Sequence, residues 1–302
     1  DYLARPVALR GNTAAAMPEV SADGLTYTFR IRPGIYFTPD PAFKGKRREL
    51  TAQDYVFTLK RLYDPQVRSP WLALFEGKVA GDAALKSGFS YDTAIAGLQA
   101  PGRYTLQIRL NAPERNLLFY MAMPATGVVA REVIEAYPGQ AGNPPVGPGP
   151  FLVGEWKRSD RIVLLRNPDS TAVFDAAPGP DAADQAIAAA LKGRRLPVVD
   201  RVEVRIAEEF QGRMLGFLNG EFDYVEQVPE TMRDMVIEGD ALKPELAARG
   251  IRLYRFTPPQ TYYMWMNLEN PVIGGYSPDK IALRRAIALS YNGAEDVRLL
   301  KK

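Results

Sequence analysis

Few of the residue types that usually do chemistry are present. The chain of 302 residues contains no histidine and no cysteine. That removes the imidazole base of a Ser-His-Asp triad, the thiol nucleophile, thiolate metal sites and any disulfide framework. Acid–base or nucleophilic work would fall to carboxylates, lysine, tyrosine or a borrowed cofactor. Carboxylates cluster at Glu208-Glu209, after an expected strand, and at Glu221, Asp223 and Glu226, after a turn. A glycosidase pair needs a set separation in space. Neighbouring residues on a strand point to opposite faces, so Glu208 and Glu209 read as solvated edge charges. No Gly-x-Ser-x-Gly elbow, Walker loop or dinucleotide fingerprint occurs. Gly147-Pro148-Gly149-Pro150 puts prolines where phosphate-cradling amides would be required. The cation run Lys44, Lys46, Arg47 and Arg48 reads as a solvated loop, with a phosphate site the lesser alternative.

A more informative feature is Thr261-Tyr262-Tyr263-Met264-Trp265-Met266-Asn267. On a strand, alternation puts Tyr263, Trp265 and Asn267 on one face and Tyr262, Met264 and Met266 on the other. Tyr, Trp and Asn together offer stacking area and hydrogen-bond donors, the chemistry of a ligand cleft. The two methionines read as facing a core. The competing reading buries both faces, and the pattern alone leans slightly that way.

The composition fits a globular chain with a core: 46% hydrophobic and 24% charged. Lys+Arg is 38 and Asp+Glu is 35, a net charge of +3. So weak a balance gives no argument for nucleic acid. The length predicts one large or two ordinary domains, at roughly 150 residues each. Residues 1–20 lack the apolar run of a signal peptide. The longest uncharged apolar-rich stretch, residues 116–130, is too short to span a membrane and contains Pro124. The opening Asp1-Tyr2-Leu3-Ala4-Arg5-Pro6 reads as the inside of a domain.

The elements that would position these groups follow from periodicity and punctuation. Strands are expected over residues 26–32, resuming at 35–37, then over 104–110, 151–156, 161–166, 202–206, 222–225, 251–256 and 261–268. Thr51 and Asp54 form a capping-box signal for a helix that ends at Asp64-Pro65. Further helices are expected over 116–123, 131–137, 181–191, 211–218, 242–248 and 280–291. Residues 139–150 form the strongest break, with four glycines and four prolines in twelve positions. Strands and helices mix without regular βαβ alternation, which predicts an α+β or irregular α/β class.

Several phrases, in order, resemble one family. They are Asp23-Gly24-Leu25-Thr26-Tyr27-Thr28-Phe29, Arg32-Pro33-Gly34-Ile35-Tyr36-Phe37, and Leu50-Thr51-Ala52-Gln53-Asp54-Tyr55-Val56-Phe57. Pro145-Val146-Gly147-Pro148-Gly149-Pro150-Phe151, Arg166-Asn167-Pro168-Asp169, Phe217-Leu218-Asn219-Gly220-Glu221-Phe222-Asp223-Tyr224 and Ala282-Leu283-Arg284-Arg285-Ala286 follow. Together they resemble extracellular solute-binding protein family 5, the substrate-binding proteins of peptide/nickel-type ABC importers. Pro148 departs from the family phrase, which has threonine there.

The resemblance implies a mixed α/β, periplasmic-binding-protein-like two-lobe fold with an extra subdomain, here incomplete. On that reading residues 1–143 are the extra subdomain, 144–261 the central part of the first lobe, and 262–302 the crossover strand and first helix of the second. Unpaired sheet edges are then expected. Implied ligand-binding residues are Tyr263 first, then Trp265, Asn267, Tyr262 and Trp71, with Trp71 balanced between a ligand role and a buried-core role. Gly147, Gly149 and Pro150 would shape the backbone beside the cleft. The implied function is capture of a peptide-like or other small solute in the periplasm and its delivery to an inner-membrane ABC permease. No catalysis, cofactor, metal or nucleic acid is implied, and the protein would be a monomer. The alternatives are a carboxylate-dependent hydrolase using Glu208 and Glu221, or a truncated non-transport binding module of the same fold. The phrases leave the solute open among nickel, haem, opine, sugar and peptide.

Overall fold

The turn at Asp23-Gly24 is built around the Asp23 carboxylate, which accepts from the Leu25 backbone N–H at 3.0 Å. From it starts the first long strand. The structure is a computed structural model that describes residues 8–139, 145–255 and 263–300. Contacts within the chain divide it into two units, residues 1–206 and 207–302.

The first unit contains β1 (Glu19–Val20), β2 (Thr26–Arg30), α1 (Ala52–Arg61), α2 (Ala83–Ser87), β3 (Leu98–Gly102) and β4 (Thr105–Arg109). It continues with α3 (Leu117–Met121), α4 (Arg131–Ala136), β5 (Phe151–Lys157), β6 (Arg161–Arg166), α5 (Ala182–Leu191) and β7 (Arg201–Arg205). Four strands pair antiparallel in the order β1-β2-β4-β3. Tyr27 lies opposite Ile108 and Phe29 opposite Leu106. Period-two alternation sends these side chains, with Ile31 and Leu110, to one face, where all are buried. On that face α1 packs Val56 and Leu59, so the strand and helix stripes close on one core. Each such buried side chain stabilises by about 1.5–3 kcal/mol relative to exposure.

The start of α1 is set as the sequence predicts. The Asp54 carboxylate accepts from the Thr51 backbone N–H at 2.7 Å and from the Thr51 hydroxyl at 3.0 Å. A second sheet runs β5-β6-β7, again antiparallel. Its register shifts between Val153 and Glu155. Gly154 fits that bulge because a Cβ there would meet Leu165 Cδ1 at 2.8 Å. Among the described residues the outer edges of β5 and β7 carry no strand partner.

The second unit contains α6 (Phe210–Leu218), α7 (Arg233–Val236), β8 (Ile237–Glu238), β9 (Ala241–Leu242), α8 (Pro244–Ala248), α9 (Pro278–Leu289) and α10 (Gly293–Leu300). Met214, Met232, Val236, Ile237 and Leu246 form its small core. No helix among the described residues is long and apolar enough to cross a membrane.

Four expected strands are corrected. Residues 35–37 make a single bridge, Tyr36 with Glu49. Residues 222–225 are irregular; the Phe222 ring lies back against Gly216 of α6, where a Cβ would come within 2.6 Å. Residues 251–255 are also irregular, since Ile251 and Leu253 pack into the small core without a neighbouring strand. Residues 263–267 form no ladder, and 261–262 lie outside the described residues. The helix expected over 242–248 begins only at Pro244, with Leu242 in β9. Elements that pattern reading missed include β3, whose Ala100-Pro101-Gly102 reads as a turn, and the short β1, α2, α7, β8 and β9. The helix α10 was missed as well.

Candidate functional site

Each unit has its own concavity. In the first unit, a recess of about 600 Å³ opens onto the edge of the core. Phe29 and Ile31 of the first sheet, Tyr55 of α1, Met121 of α3 and the loop from Gly147 to Pro150 all reach it. Its apolar wall comes directly from the strand alternation and the helix stripe that build the core. Tyr55 supplies a polar group: its hydroxyl pairs with the Thr13 hydroxyl. Burial raises the Tyr55 pKa above the ordinary phenol value, although the Thr13 contact opposes this.

The glycine-proline loop is held by Asn167, which is 2% exposed. Asn167 Nδ2 donates to the Gly149 carbonyl at 2.9 Å, and its backbone N–H donates to the Pro150 carbonyl at 2.9 Å. Its Oδ1 accepts from the Asp169 N–H at 3.0 Å. The Gly147 carbonyl accepts from the Thr38 N–H at 3.0 Å. A loop rich in proline has few amides to tie itself down, so an external amide side chain does the work. In the sequence Asn167 stands out only as part of Arg166-Asn167-Pro168-Asp169, just after the strand expected over 161–166, and neither feature marks it as the anchor of this loop. A Cβ built on Gly147 meets nothing within 4 Å.

In the second unit, a shallow groove of about 850 Å³ runs between residues 264–269 and one side of α9. Trp265 and Asn267 line it together with Ile281, Arg284, Arg285 and Ala288. The Arg284 guanidinium donates to the carbonyls of Ile273 and Gly275 at 2.6 and 2.8 Å, which fixes the turn beside the groove. Gly274 lies so close in that turn that a Cβ would fall 2.2 Å from the Leu268 carbonyl oxygen. Asn267 Oδ1 accepts from the Glu269 N–H at 3.0 Å, an Asx turn that shapes the groove floor.

The expected site residues are therefore split between the two units. Trp265 and Asn267 share the second groove, while Gly147, Gly149 and Pro150 line the first recess. Tyr263 is 80% exposed and Trp265 75% exposed, and Met264 is exposed as well, so the segment is buried on neither face. Tyr262 lies outside the described residues. Trp71 is 44% exposed beside a short 3₁₀ turn and lines neither concavity, which removes its buried-core reading.

In the cation run Lys44, Lys46 and Arg47 are exposed, as a solvated loop requires, and the reading is corrected at Arg48 alone. Arg47 stacks 4.0 Å over the Tyr36 ring and reaches Asp169 at 3.3 Å. Arg48 turns inward to Asp54 and Glu132. Burial opposes its charge, but the hydrogen bonds it donates to both carboxylates outweigh burial and raise its pKa above the ordinary guanidinium value. Glu208, Glu209 and Glu221 are exposed. Among the described residues no group of three or more Asp or Glu is placed to hold a metal ion.

The family model described as bacterial extracellular solute-binding proteins, family 5 Middle, matches residues 8–300. Di/tripeptide-binding protein 4 of Pseudomonas aeruginosa is 32% identical over 182 residues, which cover 55% of this chain and 32% of that protein. The oligopeptide-binding protein AmiA of Streptococcus pneumoniae is 44% identical over 108 residues, 34% of this chain and 16% of that one. The solved structure of OppA from Burkholderia pseudomallei matches with a TM-score of 0.59 at 19% identity, covering 76% of this chain and 39% of that chain. At that identity the likeness shows the fold: a mixed helix-and-sheet chain of the periplasmic-binding-protein class. The match spans about a third or less of these two curated relatives' lengths.

Proposed function

This chain belongs to the bacterial extracellular solute-binding proteins of family 5, and from that premise we propose that the whole protein captures a small, peptide-like solute for an ABC importer. The observation that carries the reading is the family match over residues 8–300. The peptide-binding names of its relatives support the choice of solute class. In this reading the solute lies in a cleft between two lobes, and the loaded protein docks on an inner-membrane permease. The protein works in the periplasm, as a monomer, and without a catalytic step.

Residues 1–143 are then the extra subdomain, 144–261 part of the first lobe, and 262–302 the start of the second. The core running from Tyr27 to Val146 supports the first of these divisions. Tyr263, Trp265 and Asn267 form one wall for the solute. An exposed aromatic pair beside a side-chain amide suits a peptide, which offers both flat amide faces and hydrogen-bonding edges. Trp71 supplies stacking area on the subdomain, and Gly147, Gly149 and Pro150 keep the backbone low beside the cleft.

The test is ligand-dependent thermal stabilisation of the whole protein across dipeptides, tripeptides, longer peptides and metal chelates. Saturating binding of one class raises the melting temperature by mass action. A melting temperature unmoved by every peptide would overturn the peptide assignment.

A further inference from the structure

We propose that the first-unit recess is a binding site for an apolar chain that ends in a carboxylate, with Arg32 as the counter-ion. The proposal concerns the first unit by itself, and it stands or falls separately from the import reading.

Three observations carry it. The inner wall is apolar, with Phe29, Ile31, Leu106, Leu118 and Met121. Met17 and Met123 join Met121 on the lining, and thioether side chains adapt to tails of varied shape. A volume of about 600 Å³ lies within the range of small-molecule sites.

The second observation is the charge along the lining. Among the described residues two cations, Arg10 and Arg32, reach the recess, and no carboxylate does. Arg10 is ion-paired with Asp175 at 3.2 Å. Arg32 has no ion pair among the described residues, and its side chain donates to the Gly11 carbonyl at a long 3.4 Å. Glu49 is committed elsewhere, to Arg103 at 2.7 Å and to the Gly34 N–H at 2.8 Å.

The third is that four polar side chains of the lining are already engaged. Tyr55 pairs with Thr13, the Thr126 hydroxyl donates to the Met121 and Met123 carbonyls, and the Ser170 hydroxyl donates to the Leu196 carbonyl. A polar tail would find few free partners, whereas an apolar tail loses nothing. At the mouth, a planar guanidinium suits a carboxylate better than any other small head group. An amine head would be repelled by Arg32. A free apolar acid and the C-terminal apolar residue of a short peptide share this chemistry.

The test labels the methionine methyl groups of the full chain with carbon-13 and titrates by NMR. The probes are decanoate and N-acetyl-leucyl-leucine; the neutral controls are decanol and N-acetyl-leucyl-leucinamide. Shifts are expected at Met17, Met121 and Met123, while Met214, Met232 and Met264 of the second unit stay still. At least one acid should bind roughly tenfold or more tightly than its neutral control. Arg32→Gln should bring acid and control within about twofold, and Arg32→Lys should keep part of the preference. Arg32 is exposed, so neither change disturbs the core. Binding of decanoate alone assigns the site to fatty acids, and binding of the dipeptide alone assigns it to peptide termini; either supports the proposal. Equal binding of acid and neutral control, a preference that survives Arg32→Gln, shifts confined to the second unit, or no saturable shift overturns it.

Discussion

The Arg48 guanidinium and the Asp54 carboxylate meet end-on, with Nη2 to Oδ1 at 2.6 Å and Nη1 to Oδ2 at 3.1 Å. The Asp54 side chain is 3% exposed. It also accepts the Thr51 N–H, so one carboxylate both starts α1 and fixes the preceding loop. The same guanidinium reaches Glu132 at 2.7 Å, which brings the start of α4 into the knot.

Removing one partner of such a pair leaves a buried charge unmatched. Arg48→Met should destabilise the first unit by about 3–5 kcal/mol. Urea unfolding followed by far-UV circular dichroism measures it. A loss under about 1 kcal/mol would mean that Asp54 is served by water and Thr51 alone.

The Arg48–Glu132 contact should make stability fall in acid. Burial by itself would raise the Glu132 pKa, but the Arg48 hydrogen bond and charge override burial and leave it below the ordinary carboxylate value. The unfolded chain therefore takes up this proton first as pH falls. The contribution is complete above the unfolded value, about 4.3, and is lost as pH drops through the folded value. Glu132→Gln should flatten the stability-versus-pH slope below about pH 4.5 and leave it unchanged near neutrality. An unaltered acid slope in the variant would show that other carboxylates carry it.

Asn167→Ala should cost about 2 kcal/mol, because it strips the Gly149 carbonyl of its side-chain donor and leaves the Asp169 N–H without its acceptor. The loop it holds borders the recess, so the Met121 methyl resonance should broaden or move. Full stability with an unmoved Met121 signal would mean that the loop holds itself.

Three lysines of the first unit should titrate in a stated order. Burial lowers the Lys60 pKa; its Nζ donates to the Tyr91 and Thr93 carbonyls, and among the described residues no carboxylate is bonded to it. The hydrogen bond to Glu114 raises Lys78, and the hydrogen bond to Glu76 raises Lys86. On raising the pH, NMR of labelled lysine side chains should show Lys60 losing its proton before the other two. Any other order refutes the buried placement of Lys60.

Trp265→Ala should weaken solute binding by the whole protein by roughly tenfold or more if the exposed aromatic wall faces solute. Its melting temperature without solute should change little, since Trp265 is 75% exposed. Unchanged affinity would move the solute to another wall.

What the sequence made legible follows the range of the forces involved. The core strands, with Tyr27, Phe29, Leu106 and Ile108, and the Thr51–Asp54 helix start depend on neighbours a few residues apart, and periodicity finds them. The strands expected at 222–225 and 251–256 have the right local pattern, but no ladder partner meets either among the described residues. Pairing is a long-range property that alternation cannot supply. The site divides the same way. The aromatic segment was visible as composition, and the glycine-proline loop as punctuation. Asn167, which holds that loop, and Arg32, which has no ion pair among the described residues, could be singled out only once distant residues had been brought together. Arg48 shows the converse: its neighbours in sequence suggested solvent, and its neighbours in space are acids.

The outer strand β7 reads Arg201-Val202-Glu203-Val204-Arg205, with Glu203 bonded to Arg201 at 2.8 Å and to Arg205 at 2.7 Å. Its charges form a palindrome. If two molecules met edge to edge with their central residues aligned, Glu203 would face Glu203. Arg201 and Arg205 would face only arginines, whether the copies ran parallel or antiparallel. Like charges directly opposed destabilise a strand pair. In that centred register the edge resists pairing with its own copy.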